Sequence, residues 1–147
     1  PPLRDEMDRR ALVDAIADGT VDIIAPDHWP QDQDSKRLPF AQAEPGVVGL
    51  ETLLSLALEL YHQERLSLID LLEKMTSRPA DLLRLPVGRL RPGAPADLVL
   101  FDPDSPRRID VESFRSKSKN SPFDGRPTMG RVLRTVVDGR TVFTAAA

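Results

Sequence analysis

The stretch that most restricts how this chain can fold is Val21-Asp22-Ile23-Ile24-Ala25-Pro26-Asp27-His28-Trp29-Pro30, a short apolar run that meets a carboxylate and an imidazole before proline stops it. Val and Ile interrupted only by Asp22 suit a largely buried parallel strand over Val21 to Ala25. In front of it, Leu3, Met7, Ala11, Leu12, Ala15 and Ile16 recur at helical spacing as far as Asp18, with Asp5 and Glu6 in the first turn and Gly19 as a C-terminal stop. Helix, tight turn and strand make half of an α/β repeat. In such folds catalytic and metal-binding groups gather at the carboxyl ends of strands, where loops vary without disturbing the sheet. Asp27 is therefore the first candidate for chemistry, the competing reading being an Asx-turn or a cap.

Residues 26–46 form a long polar connection carrying Pro30, Pro39, Pro45 and the charged run from Gln31 to Arg37, and loops of that length in compact domains are usually functional. A second helix is expected over Gly49 to Gln63, with Leu50, Leu53, Leu54, Ala57, Leu58 and Tyr61 on one face. Ser67 caps a third through Met75, and a short fourth begins at Pro79. After Leu85 the pattern changes: Gly88, Pro92, Gly93 and Pro95 break the helical period, Leu98 to Phe101 reads as a buried strand, and Val132 to Val137 and Thr141 to Thr144 flank the hairpin signal Asp138-Gly139. A boundary near Pro86 divides the chain into 1–86 and 87–147.

At 147 residues the chain is too short for a complete eight-stranded α/β barrel, which takes about 250. The opening Pro1-Pro2-Leu3-Arg4 reads as the middle of a loop, so a fragment is expected. A net charge of −3 offers no electrostatic reason to expect nucleic acid or an anionic membrane. No apolar run approaches the ~20 residues of a membrane span, and no leader is visible. Without cysteine any metal is left to His and carboxylate, and the composition is compatible with the cytoplasm.

The passage Met75-Thr76-Ser77-Arg78-Pro79-Ala80, Gly88-Arg89-Leu90-Arg91-Pro92-Gly93, Ala96-Asp97-Leu98-Val99-Leu100-Phe101-Asp102 resembles the step from barrel to small β-sandwich domain in the amidohydrolase superfamily. Five further segments, Pro1 to Arg4, Pro26 to Pro30, Leu38 to Phe40, Gly46 to Thr52 and Lys117 to Phe123, are similar in order to the dihydroorotases within it. The resemblance implies the C-terminal part of a TIM (β/α)8 barrel over 1–86, followed over 87–147 by strands of a β-sandwich. It also implies a zinc-dependent enzyme, with one or two ions, that interconverts N-carbamoyl-L-aspartate and dihydroorotate in pyrimidine biosynthesis. Asp27 matches the family's carboxylate that binds metal and acts as general base, taking a proton from the attacking hydroxide and delivering it to the leaving nitrogen; asparagine could not. Gln31 stands where the family commonly has a substrate-binding histidine, and Pro45-Gly46 where it has a substrate-binding backbone pair. Gln31 can donate a hydrogen bond to a substrate carboxylate but has no cationic form. The remaining metal ligands, a His-x-His pair, a carboxylated lysine and two further histidines, would lie upstream of Pro1, so the isolated piece is expected to be inactive and to associate or misfold.

His28 lacks a second histidine at motif distance and is read as orienting the loop from behind the site. His62 reads as a surface residue, Asp97 and Asp102 as turn residues, and Lys36-Arg37, Arg107-Arg108, Lys117 and Lys119 as solvated charge, with Lys36 or Arg37 also able to close over an anionic substrate. Other readings of the whole are a non-catalytic scaffold subunit for aspartate carbamoyltransferase and another cyclic amidohydrolase, a hydantoinase or allantoinase. The partner expected is a small-molecule substrate, with a homodimer as a further possibility.

Overall fold

A computed structural model describes residues 4–146, so Pro1, Pro2, Leu3 and Ala147, and with them most of the Pro1 to Arg4 segment, lie outside the described residues. The chain is mixed α/β. Its elements are α1 (Glu6–Ala17), α2 (Gln33–Lys36), α3 (Leu53–His62), α4 (Leu68–Met75), α5 (Ser77–Leu82), β1 (Leu98–Arg108), a single 3-10 turn (Val111–Ser113), β2 (Pro127–Val137) and β3 (Arg140–Thr144). Caps set the helix starts: Asp5 accepts from the Asp8 N–H at α1, and Ser67 from the Asp70 N–H at α4. Pro79 is the third residue of α5 and not its first. The physical reason is that the whole first turn of a helix has N–H groups without intrahelical partners, so proline loses nothing there.

The three strands form one antiparallel sheet in the order β1-β2-β3, with Leu98 opposite Val136 and Arg108 opposite Pro127. Asp138 and Gly139 both take positive φ, 48° and 72°, the geometry a two-residue type I′ hairpin requires. Asp97 precedes β1 and its carboxylate accepts from the Asp138 N–H of the hairpin turn, whereas Asp102, expected in a turn, lies within β1 opposite Arg131, because the strand runs on through an irregularity between Asp102 and Pro106 where its carboxylate accepts from the Asp104 N–H.

Two expectations about strands are corrected. Val21 to Ala25 joins no ladder; the Val21 N–H bonds to Ala15 O and the Ile24 N–H to Lys74 O. A strand needs a neighbouring strand to complete its ladder of hydrogen bonds, and beside this run the described residues supply only one isolated parallel bridge, His28 with Val47. Leu98 to Phe101 lengthens into the edge strand β1, and Leu98, Val99 and Leu100 are exposed rather than buried, because a three-stranded sheet leaves this end of its edge uncovered.

Two small cores hold the elements. Ala57 and Leu58 of α3 and Leu71 of α4 are buried together, with Ile24, Leu68 and Phe101 packed around them; Val48, Ile109, Val111 and Phe114 make the second, with Leu56 and Phe123 against it. Residues from both sides of Pro86 therefore meet in each cluster. No helix among the described residues is long and apolar enough to cross a membrane.

Candidate active-site loop

The run from Val21 to Ala25 delivers Asp27 through a clamp from α4. Lys74, only 3% exposed, donates from Nζ to Val21 O at 2.6 Å while its own carbonyl accepts from the Ile24 N–H at 3.0 Å. Arg78 of α5 adds an ion pair to Asp22 at 2.9 Å. Asp27 is exposed, adopts φ 43°, and its carboxylate makes no hydrogen bond among the described residues. A left-handed conformation costs a non-glycine residue roughly 1–2 kcal/mol, and such strain persists only where the surroundings enforce it.

What enforces it lies on either side. The Trp29 N–H donates to Val47 O at 2.8 Å, and His28 Nδ1 accepts from the Gly49 and Leu50 N–H groups at 3.1 and 3.3 Å. Because Nδ1 is an acceptor, the neutral ring carries its hydrogen on Nε2. His28 thus closes the neck of the loop, tying residues 28–29 to 47–50. Two glycines make the neck possible. A Cβ at Gly49 would stand 2.5 Å from Pro26 O, and one at Gly46, whose φ is 105°, would stand 2.7 Å from Trp29 Cβ.

Beyond the neck the loop is more ordered than a polar connection need be. Asp32 caps α2, and the Ser35 backbone N–H, donating at 2.8 Å, holds the Asp32 carboxyl below the usual carboxylate range. Gln31 and Pro45 come together, Gln31 Nε2 donating to Pro45 O at 3.4 Å. Lys36 departs from the solvated reading: its Nζ donates to Glu44 O at 2.7 Å and to Gly46 O at 3.1 Å. So does Lys119, whose Nζ donates to Phe114 O at 2.7 Å. Arg37 and Lys117 remain exposed, and His62 is an exposed residue whose Nε2 lies 3.1 Å from Pro103 O.

Three residues at this site were not singled out from the sequence. Asn120 bonds to Trp29, Gln31 and Gly46. Glu51 accepts from the Arg115 and Ser116 N–H groups, both at 3.0 Å. Lys74 forms the clamp above. The only sequence signal for the first two was that each falls inside a segment that carried the resemblance, 117–123 and 46–52.

Among the described residues no group of three or more His, Cys, Asp or Glu could hold a metal ion. The donor set of this chain therefore does not by itself fit a zinc centre, and Asp27 is a single carboxylate.

The amidohydrolase family model matches residues 3–142. The chain is 52% identical to a dihydroorotase of Anaplasma phagocytophilum over 145 residues, 99% of this chain and 32% of that protein. It is 50% identical to a dihydroorotase of a Wolbachia of Drosophila simulans over 144 residues, 98% of this chain and 33% of that protein. Among solved structures, an L-hydantoinase (dihydropyrimidinase) from Arthrobacter aurescens superimposes with a TM-score of 0.92 at 34% identity, over 98% of this chain and 33% of that one. The chain thus spans about a third of the length of the curated relatives it matches. Since the match takes in the clamped run, the neck of the loop and the hairpin alike, this chain belongs to the amidohydrolase family.

Proposed function

We propose that this chain is the C-terminal third of a dihydroorotase that interconverts N-carbamoyl-L-aspartate and dihydroorotate in pyrimidine biosynthesis, comprising the last part of a TIM barrel over 1–86 and strands of a β-sandwich over 87–147. The observation that carries the reading is the contrast in identity over nearly the same residues, 52% to a dihydroorotase against 34% to a hydantoinase.

On this reading Asp27 is the general base. Its carboxylate is exposed and unbonded, held at the end of a clamped segment, and so is free to take a proton from the nucleophile and return it to the departing ring nitrogen. Asp27 would also give one oxygen to a centre of one or two zinc ions completed by the rest of the parent. When bound, such a metal supplies a hydroxide near neutral pH. Gln31 and the Pro45-Gly46 pair face the substrate, and His28 keeps the neck closed without touching it. This chain alone is inactive, since a catalytic zinc site needs about three protein ligands.

The test is ring opening of dihydroorotate by the full-length parent with zinc, beside Asp27→Asn. Loss of a general base is expected to lower kcat by roughly 10²–10⁴; a variant within tenfold of the parent would remove Asp27 from the role. Two observations keep other readings in view. The close superposition on an L-hydantoinase favours a hydantoin-type cyclic amide, which parallel assays with hydantoin and allantoin would reveal. Gln31, with no cationic form, favours a scaffold for aspartate carbamoyltransferase, and a folded parent inactive on all three amides would favour it further.

A further inference from the structure

The groups placed against substrate are held by a residue from a distant part of the chain. Asn120 lies between the 3-10 turn and β2, and its carboxamide is used at both ends: Nδ2 donates to Trp29 O at 3.1 Å and to Gly46 O at 3.2 Å, while Oδ1 accepts from the Gln31 N–H at 3.2 Å. Its main-chain carbonyl accepts from the Val48 N–H at 3.2 Å. All four bonds end on the loop or its neck. Gly46 O receives a second donor, Lys36 Nζ, at 3.1 Å.

This arrangement is chemically selective. Two carbonyls need a donor and one N–H needs an acceptor on the same short side chain, which aspartate, serine or leucine cannot supply together. With Gln31 Nε2 on Pro45 O and two side chains on Gly46 O, both carbonyls of the backbone pair are engaged by protein. The Gly46 N–H, by contrast, makes no hydrogen bond among the described residues and is left as a donor for a ligand oxygen. No hydrogen bond joins Asn120 to Asp27 among those residues, so its influence reaches the binding groups and not the base.

We propose that Asn120, with Lys36 as second donor to Gly46 O, is the positioning residue of the substrate loop: it fixes Gln31 and Gly46 relative to each other and sets the affinity for substrate without entering the chemical step. The role rests on the dihydroorotase reading above. It is tested in the full-length, zinc-loaded parent with Asn120→Ala, Asn120→Asp and Lys36→Met. Loss of all three side-chain hydrogen bonds in Asn120→Ala, or of the two donated by Nδ2 in Asn120→Asp, is expected to raise KM for dihydroorotate at least about tenfold in both variants. The rise should be about fivefold in Lys36→Met, which loses one such bond to Gly46. In all three, kcat should stay within about threefold, the split that marks lost binding and not lost chemistry.

Hydrogen exchange without substrate supplies a readout independent of turnover. The Gln31 amide should exchange about tenfold faster in Asn120→Ala and change less in Asn120→Asp, which keeps an oxygen for it. The Ile109 amide, bonded to Arg126 O at 2.9 Å, should be unaffected. An unchanged KM in a folded variant, a fall in kcat at constant KM, or unaltered Gln31 exchange overturns the proposal. If Asn120→Ala does not fold, an unchanged KM in Lys36→Met does so. A wild-type parent without dihydroorotase activity would sink the functional reading alone, and the exchange rates would still decide whether Asn120 holds the loop.

Discussion

A single missing methyl group decides whether the loop can close on its neck. Gly49 is buried, and the nearest neighbour to any Cβ there is a backbone oxygen, Pro26 O at 2.5 Å, which cannot rotate out of the way as a side chain would. Gly49→Ala is therefore expected to cost about 1–3 kcal/mol, the usual range for overpacking a filled site, and to disturb the His28 bonds that share the neck. Urea denaturation of the parent would show it as a lowered midpoint at unchanged slope; an unshifted midpoint would mean the neck relaxes freely. The same scale explains why Asn120, Lys36 and Lys119 escaped the reading of the sequence. The loop partners of Asn120 lie as far as 91 residues away; those of Lys36 and Lys119 are near in sequence, but a lysine in a polar stretch reads as solvated surface until its own turn folds and brings a carbonyl to it. The placement of Asp27 at the exposed end of an apolar run is legible for the opposite reason, since that pattern is purely local.

Helices and the hairpin are legible in the sequence because their signals are local, and strands are not where pairing decides. Asp5, Ser67 and Asp138-Gly139 sit where their capping and turn chemistry requires. Whether Val21 to Ala25 forms a ladder depends instead on which chain lies beside it, and no periodicity carries that information. The charge pattern of α1 adds a consequence for pH. Hydrogen bonds from Arg9 and Arg10 lower the Glu6 carboxyl to about 2. A carboxyl depressed on folding contributes stability that is present above its ordinary pKa and lost as pH falls through the folded value, so the window for α1 lies between about 4.5 and about 2. A residue-resolved titration should show Glu6 protonating near the bottom of that window, and Arg9→Gln with Arg10→Gln should return it to the ordinary range. Titration of wild-type Glu6 near 4.5 would contradict the ion pairs.

The whole molecule exposes too much of itself. Its accessible surface is 10382 Å², whereas a folded monomer of 16.3 kDa is expected to show roughly 7,500 Å². The difference, roughly 2,900 Å² on one chain, is large enough for an obligate interface, and Met7, 80% exposed on α1, and Leu98 to Leu100 on the edge of β1 are among the apolar residues left uncovered. The 147-residue chain expressed alone is therefore expected to self-associate or to melt without a cooperative transition. Sedimentation together with calorimetry would check this, and a sharp-melting monomer would refute it. One part of the molecule is insulated from such demands. The loop hangs from a neck closed by His28, Trp29, Val47 and Gly49, so lengthening its exposed tip around Phe40, outside the Asp32–Lys36 and Glu44–Gly46 segments that Lys36 ties together, costs mainly chain-closure entropy, about 0.6 kcal/mol for each doubling. Insertions there leave the frame beneath intact, which makes this the place where the chain can acquire new length at least risk to its folding.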